Sequence, residues 1–257
     1  MITNFLNKSF SLYKINLGYC PICERRTLFI ARENWLRDKY LCTRCKSIPR
    51  FRAIINVLQT HFPSWHSLKI HESSPGGASS EKIARECGDY IGSHFYPDIP
   101  PGSTKNGFRC ENLELQTFDD EMFDLVITQD VFEHVLNPAQ AFLEIARTLK
   151  PGGAHLFTVP WYYWRKTQIR AMEKDGKIEH LLPPEYHGNP ISADGSLVVT
   201  EWGYDMPDFI YRNSGLSTTV VRIHDPSQGI VAKFIEVFIS YKPQGMLSEL
   251  SPSLALI

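Results

Sequence analysis

Hydrophobic residues from Leu68 onward occur in short runs that alternate with amphipathic stretches. This alternation predicts a doubly wound α/β domain, in which helices cover both faces of a mostly parallel sheet. Short apolar runs indicate its strands, because a parallel strand is buried on both faces. We predict seven strands, at residues 68–72, 89–94, 107–111, 123–128, 154–159, 216–223 and 230–241. The last two would form a hairpin that closes the sheet.

Three stretches carry the pattern of a helix. Asn137 followed by proline is typical of a helix start, because the side chain caps free amides and proline fits the first turn. Apolar residues then recur at helical spacing up to Leu149, and Lys150-Pro-Gly-Gly ends the helix. Two further helices are predicted, from about Ser79 to Cys87 and from Ile48 to His61.

The composition is that of an ordinary globular protein. The chain has 257 residues, of which 43% are hydrophobic and 21% are charged. At this length it can bury a core without disulfides. No run of 18 apolar residues occurs, and Met1–Lys8 lacks the basic region and apolar core of a signal peptide. We therefore predict a soluble cytoplasmic protein with no membrane partner.

Four of the six cysteines form two close pairs near the N-terminus. Cys20 and Cys23 make the first C-x2-C pair, Cys42 and Cys45 make the second, and 18 residues separate the pairs. This spacing is typical of a zinc ribbon, in which two pairs of thiolates surround Zn²⁺ tetrahedrally. We therefore favour zinc over a redox pair. Because four thiolates leave no open coordination position, the predicted metal site is structural.

The net charge of −1 hides a division of the chain. Residues 1–66 carry 11 Lys and Arg against 3 Asp and Glu, whereas residues 67–257 carry 16 against 25. The difference, +8 against −9, predicts two modules with different roles. Arg50 and Arg52 fall on the helix after the ribbon, where we expect a solvated face. Nucleic-acid binding is the weaker interpretation, and docking of the basic module on its acidic neighbour explains the division equally well.

Two blocks of sequence carry a resemblance to a known family. Residues 123–135 read FDLVITQDVFEHV, and residues 141–153 read AFLEIARTLKPGG. In order and spacing these blocks resemble class I S-adenosylmethionine-dependent methyltransferases, and the type 11 branch in particular. The similar stretch covers roughly residues 68–160. The resemblance implies a Rossmann-like sheet, S-adenosylmethionine as the methyl donor and S-adenosylhomocysteine as the product.

The resemblance also implies a set of cofactor-binding residues, two of which depart from the family pattern. Ser74 stands where relatives have the first glycine of the loop after strand one, although small residues still allow the backbone to approach a ligand. His94 stands where relatives have an acidic residue that holds the ribose. The predicted cofactor-binding residues are Glu72, Ser73, Ser74, Gly76, Gly77, His94, Asn112, Leu113, Gln129, Asp130 and Val131.

Residues 161–205 form the segment in which this family commonly builds its acceptor pocket. The segment contains the aromatic run Trp161–Trp164, His180 and the run PPEYHGNP at residues 183–190. His187 is our first candidate for a catalytic base or acceptor ligand, since histidine accepts protons near neutral pH. His134 is the second. Core packing of the aromatic run and an ordinary loop role for His187 remain open at this point.

These observations predict four segments: a zinc ribbon at 1–46, a linking helix at 47–66, a methyltransferase domain at 67–245 and a tail at 246–257. The favoured function is methyl transfer to a small molecule, by O-methylation of a sugar or biosynthetic intermediate. One alternative is an RNA methyltransferase that docks RNA through the basic ribbon. The other is a non-catalytic S-adenosylmethionine-binding protein, which the altered loop and His94 suggest. The sequence does not indicate an oligomeric state.

Overall fold

The computed structural model describes residues 12–188 and 194–245. The tail predicted at 246–257 lies outside the described residues, as do Asn189 and Pro190. Within the described ranges, no helix has the length and apolar character needed to cross a bilayer. All six cysteines are free thiols, in agreement with a fold that does not depend on disulfides.

A three-stranded antiparallel sheet and two helices make up the N-terminal part. The sheet holds the chain segments that carry the paired cysteines, with strand order β1-β2-β3. The second helix is longer than the first; it follows Cys45, the last of the four paired cysteines, and begins at Pro49. The elements are β1 (Lys14–Cys20), β2 (Arg25–Ala31), α1 (Leu36–Lys39), β3 (Leu41–Cys42), α2 (Pro49–His61) and a 3₁₀ turn (Trp65–Ser67).

An eight-stranded sheet forms the centre of the molecule. Its strands are β4 (Lys69–Ser73), β5 (Asp89–His94), β6 (Thr104–Lys105), β7 (Phe108–Cys110), β8 (Phe123–Gln129), β9 (Leu149–Thr158) and, after the insertion described next, β17 (Ser217–Val221) and β18 (Val237–Tyr241). Their order is β17-β18-β9-β8-β4-β5-β7-β6. The strands from β9 to β7 run parallel, whereas β18, β17 and β6 pair antiparallel with their neighbours. The predicted doubly wound, mostly parallel sheet is thus confirmed, with the two-residue strand β6 as an addition.

The helices and the insertion complete the domain. Helix α3 (Gly77–Glu86) follows β4, helix α4 (Pro138–Thr148) precedes β9, and helix α5 (Met206–Ser214) precedes β17. Asn137 caps α4 by accepting a hydrogen bond from the backbone amide of Gln140, as its position predicts. Between β9 and α5 lie the short strands β10 (Trp161–Tyr162), β11 (Gln168–Ile169), β12 (Ala171–Lys174), β13 (Lys177–His180), β14 (Tyr186–His187), β15 (Ser196–Leu197) and β16 (Thr200–Gly203).

Hydrophobic side chains pack on both faces of the sheet. In β8, Ile127 packs on the face that carries α2 and α3, while Val126 packs on the face that carries α4 and α5. In β18, Ile239 and Phe238 divide between the same two faces. This alternation follows from the two-residue period of a strand, and two covered faces are what the apolar runs of the sequence predict.

The N-terminal part and the sheet share one hydrophobic cluster. Phe29 of β2 and Ile54 of α2 belong to the same buried cluster as Ile127 and Ile239 of the sheet. Arg52 of α2 is fully buried and donates hydrogen bonds to the carbonyl oxygens of Tyr40 and Gly229, each at 2.8 Å. The expectation that Arg52 lies on a solvated face is therefore wrong, because its guanidinium joins the ribbon to the loop before β18.

Candidate active site

A cavity of about 1260 Å³ opens at the carboxyl ends of β4, β5 and β8. The strand order reverses between β4 and β8, and such a switch point is where open α/β sheets bind ligands. Ten of the eleven predicted cofactor-binding residues line this cavity: Ser73, Ser74, Gly76, Gly77, His94, Asn112, Leu113, Gln129, Asp130 and Val131. The structure therefore brings together residues that are up to 58 positions apart in the chain.

The loop between β4 and α3 is held in an unusual backbone conformation. Ser74 has a φ of 55° and Gly77 a φ of 79°, both in the left-handed region that side chains disfavour. A Cβ atom on Gly77 would lie 2.5 Å from the ring of Phe51, a residue of α2. Glycine is thus required at position 77, because the N-terminal helix packs directly on this loop.

Glu72 is the one predicted cofactor residue that does not line the cavity. Its side chain is fully buried and accepts hydrogen bonds from Ser80 Oγ at 2.6 Å, from Tyr90 OH at 2.8 Å and from Gln129 Nε2 at 2.8 Å. Burial raises the pKa of Glu72, although these hydrogen bonds act in the opposite direction. The carboxylate therefore fixes Gln129, whose Oε1 also accepts a hydrogen bond from Ser79 Oγ at 2.9 Å.

His94 and Asn112 present polar atoms at the same end of the cavity. His94 ends β5 with 3% of its surface exposed, and its ring packs edge-on against Phe108. Burial lowers the pKa of His94, so the imidazole is neutral near pH 7, and its Nδ1 is buried without a hydrogen-bond partner. An unpaired buried nitrogen is costly unless a ligand group pairs with it. Asn112 uses its Oδ1 to accept from the amide of Glu114 at 3.0 Å, and its amino group stays available.

Asp130 pairs with two arginines that the N-terminal part supplies. Arg37 donates to Asp130 Oδ2 at 2.6 Å, and Arg50 donates to the same oxygen. Thr158 Oγ1 donates to the other carboxylate oxygen at 2.9 Å. Burial alone would raise the pKa of Asp130, but the two guanidinium groups hold it well below its usual range.

Arg37 and Arg50 point into the cavity, so the expectation that Arg50 lies on a solvated face is wrong. Arg50 has 21% of its side chain exposed and Arg37 has 9%, and both line the cavity. The sequence predicts a solvated face for Arg50 and assigns no role to Arg37. The missed signal is tertiary, because the charge division of the sequence permits docking of the basic part on its acidic neighbour but cannot show which side chains meet.

Two imidazoles line the cavity on the side of the insertion, and one buried carboxylate lies beside them. Glu133 and His134 follow β8, and His187 lies in β14. The Glu133 Oε1 atom lies 3.8 Å from His134 Nε2 and 3.8 Å from His187 Nδ1. These are ion-pair distances rather than hydrogen bonds. The interaction with Glu133 raises the pKa of His187, while burial acts in the opposite direction.

Backbone hydrogen bonds hold the insertion against this cluster. The amides of Val199 and Thr200 donate to the carbonyl oxygen of Glu133 at 2.7 and 3.1 Å, and His134 Nδ1 donates to the carbonyl oxygen of Leu197 at 2.8 Å. The structure thus brings together His187 and His134, the two predicted catalytic residues, and adds Glu133, which the sequence analysis did not select. The signal for Glu133 was present in its place beside His134 in the block FDLVITQDVFEHV.

The aromatic run at the start of the insertion divides between core and cavity. Trp161 is 7% exposed and packs in the hydrophobic cluster on the α4 face. Tyr162 lines the cavity, whereas Trp164 is 59% exposed. His180 lies in the exposed strand β13 and is not among the lining residues.

The four paired cysteines converge at one end of the N-terminal sheet. The Sγ atoms of Cys20 and Cys45 lie 3.7 Å apart, and those of Cys23 and Cys42 lie 3.9 Å apart. Tetrahedral Zn²⁺ with Zn–S bonds of about 2.3 Å requires S–S separations of about 3.8 Å. The observed separations fit a four-thiolate zinc site. This site lies in the N-terminal part, which also contributes Arg37 and Phe51 to the lining of the cavity.

Comparisons with known proteins agree with this architecture. Residues 75–157 match the family described as "Methyltransferase domain". A polyketide synthase–nonribosomal peptide synthetase of Aspergillus clavatus is 25% identical over 142 residues, a stretch that covers 48% of this chain but only 3% of that protein. The chain therefore spans a small fraction of the curated relative that it matches.

Solved structures with a similar fold include methyltransferases. A chain from the complex of the Haloferax volcanii Trm112 methyltransferase activator with a methyltransferase aligns with a TM-score of 0.51 and 15% identity, over 77% of this chain and 92% of that one. An S-adenosylmethionine-dependent methyltransferase of Mesorhizobium loti aligns with a TM-score of 0.49 and 14% identity, over 74% and 98% of the two chains. The match of residues 75–157 supports a methyltransferase domain in this part of the chain, and the central sheet has the doubly wound order that the sequence predicts.

Proposed function

We propose that the protein transfers the methyl group of S-adenosylmethionine to a hydroxyl group of a small molecule. The observation that carries this proposal is one cavity bounded by the glycine-containing loop and by His134 and His187, with Glu133 buried beside the two histidines. Its volume of about 1260 Å³ exceeds the roughly 300–1,000 Å³ of a typical small-molecule site. The cavity therefore has room for a cofactor and an acceptor side by side.

The residues at the carboxyl ends of β4 and β5 are suited to hold the cofactor. S-adenosylmethionine, when bound, supplies a methyl group on a positively charged sulfur. The backbone of the Ser73–Gly77 loop can approach the ligand closely, since all five of its residues are serine, proline or glycine. His94 Nδ1 is a free acceptor for a ribose hydroxyl, and Asn112 offers an amino group to the base.

The Glu133–His134–His187 cluster is suited to activate the acceptor. A hydroxyl is a weak nucleophile until it loses its proton, and the cluster places two imidazoles at the cavity wall with a buried carboxylate beside them. Tyr162 and Leu197 supply apolar surface beside it. We infer that the acceptor lies against the insertion with its hydroxyl directed to these three residues.

Three arginines of the basic N-terminal part are not available to RNA, although Arg44 and Lys46 are exposed. Arg37 and Arg50 pair with Asp130 inside the cavity, and Arg52 is buried against backbone carbonyls. These charges are already compensated, whereas RNA binding requires exposed cations that neutralise phosphates. RNA binding that weakens steeply with added salt would instead support the RNA methyltransferase alternative.

The proposal is tested by separating cofactor binding from turnover. S-adenosylhomocysteine binding is measured by calorimetry, and methyl transfer is measured as S-adenosylhomocysteine release with a panel of sugar and phenol acceptors. His187→Ala should lower turnover at least about 10²-fold while cofactor affinity stays unchanged. His180→Ala, an exposed histidine of the same insertion, is the control and should match the wild type. Failure of the wild type to bind either cofactor form, or full turnover by His187→Ala, would overturn the proposal.

A further inference from the structure

We propose that Glu133, His134 and His187 hold a divalent transition-metal ion in the acceptor pocket. This inference rests on the proposed function, because it specifies how the cluster activates the acceptor hydroxyl. One ligand atom from each residue lies within 4.8 Å of the other two. One carboxylate and two imidazoles are a ligand set that first-row divalent ions favour.

The main argument for a bound cation is that the buried carboxylate of Glu133 accepts no hydrogen bond. Its side chain is 2% exposed, and neither Oε1 nor Oε2 has a hydrogen-bond partner. A buried carboxylate without hydrogen-bond partners carries a large desolvation cost, which a bound cation lowers. Both neighbouring imidazole nitrogens stand 3.8 Å away, so they leave space beside the carboxylate rather than satisfy it.

In each imidazole, the ring nitrogen that faces away from Glu133 contacts another oxygen of the protein, as is common for histidines that bind a metal. His134 Nδ1 donates to the Leu197 carbonyl at 2.8 Å, which leaves the lone pair of Nε2 directed to Glu133. His187 Nε2 lies 3.4 Å from Glu185 Oε1, while its Nδ1 faces Glu133. Metal-bound histidines commonly donate their other ring nitrogen to a carbonyl or a carboxylate in this way.

The distances require only a small closure of the cluster. Ligand atoms at about 2.1 Å from one ion lie about 3.0–3.4 Å apart when they are adjacent in its coordination sphere. The two observed 3.8 Å separations exceed this by less than 1 Å, the third pair lies within 4.8 Å, and His187 has 37% of its side chain exposed. Three protein ligands leave coordination positions open toward the cavity, whereas the four-cysteine site has none open.

An ion held here would bind the acceptor oxygen and favour its deprotonated form. The hydroxyl proton passes to water, and the oxygen lone pair forms the new O–CH₃ bond. The S–CH₃ bond breaks, its electron pair goes to sulfur, and S-adenosylhomocysteine is left. The step consumes no oxidant or reductant. With this step, we expect the acceptor to be a molecule whose hydroxyl oxygen can coordinate a cation.

Manganese titration of the full-length, zinc-loaded protein tests the proposal. Mn²⁺ prefers nitrogen and oxygen ligands, so it reports the cluster and not the thiolates. Electron paramagnetic resonance of free Mn²⁺ should show about one ion bound per chain in the wild type and in His180→Ala. Both His187→Ala and the isosteric Glu133→Gln should weaken binding at least about tenfold. Thermal unfolding without added metal checks that each variant is folded.

Two results would overturn the metal site: no binding of Mn²⁺ by the wild type, or equal binding by His187→Ala and the wild type. Calorimetry with S-adenosylhomocysteine on the same samples separates this failure from that of the proposed function. A protein that binds the cofactor and transfers methyl groups, but binds no Mn²⁺, would refute only the metal. A protein that binds Mn²⁺ but neither cofactor form would refute the methyl-transfer proposal instead.

Discussion

Acidification should destabilise the fold through two buried histidines of the central sheet, His71 in β4 and His155 in β9. Neither side chain is exposed, and burial lowers the pKa of each to about 3 from an ordinary value of 6.5. His71 Nε2 shares a hydrogen bond of 2.8 Å with Ser93 Oγ, and His155 Nε2 shares one of 3.0 Å with Thr128 Oγ1. Both imidazoles are therefore neutral in the folded protein.

The sign and size of the effect follow from proton linkage. Between pH 6.5 and pH 3 the unfolded chain binds protons that the folded protein excludes, so the free energy of unfolding falls as pH falls. In this range each histidine lowers the free energy of unfolding by up to about 1.4 kcal/mol for each pH unit of acidification. Integrated from pH 7.5 to pH 5.5, each contributes a loss of about 1.4 kcal/mol, and the two together lose about 3 kcal/mol.

The assay is urea unfolding at pH 7.5 and pH 5.5 for the wild type and for His155→Phe. Phenylalanine keeps an aromatic ring stacked on Phe157, whose ring centroid is 4.4 Å from that of His155. The readout is the difference between the two pH values, so effects of acid on the cysteine cluster cancel between the proteins. The loss should be about 1.4 kcal/mol smaller in His155→Phe, and the exposed His180→Ala should behave as the wild type. Equal losses in His155→Phe and the wild type would refute the reasoning.

Two further predictions concern the contact between the N-terminal part and the cavity. Gly77→Ala should lower the free energy of unfolding by more than the roughly 1–3 kcal/mol that a positive φ costs, because its Cβ would also meet Phe51 at 2.5 Å. Gly176→Ala, with a φ of 71° and open space around it, measures the φ cost alone in the same urea assay; equal costs at both positions would contradict the contact. Cys42→Ser should remove bound zinc and weaken S-adenosylhomocysteine binding at least about tenfold in calorimetry, whereas the buried Cys87→Ser should do neither. Unchanged cofactor affinity in zinc-free protein would show that the ribbon does not support the cavity.

Local patterns were sufficient to predict most of the fold. The continuous apolar run of β8 depends only on neighbouring residues and appears where it is predicted. Helix α4 ends at Thr148, close to the predicted end, but strand β9 begins at Leu149 and not at residue 154, so Lys150-Pro-Gly-Gly lies within the strand. The predicted strand 230–241 is shorter in the structure and begins at Val237. Phe234, before it, has a φ of 56° and lines the cavity, so tertiary contacts replace strand pairing there.

The cavity could be predicted only in part. Residues at strand ends are predictable because parallel strands bring their carboxyl ends to one edge, and this places Ser74, His94 and Gln129 together. Arg37 and Arg50 could not be predicted, since their partner Asp130 lies 93 and 80 residues away and no local pattern encodes that pairing. The sequence likewise does not show whether a buried side chain has a hydrogen-bond partner.

The shared hydrophobic cluster of ribbon and sheet has a consequence for how the protein responds to metal supply. Phe29 and Ile127 belong to one buried cluster, so we expect the parts on either side of residue 66 to unfold together despite their different charge. Because zinc binding contributes roughly 10–16 kcal/mol in small zinc modules, filling the four-cysteine site would shift the folding equilibrium of the whole chain. The fraction of molecules able to bind the methyl donor would then follow the zinc available during folding, with no separate regulatory site.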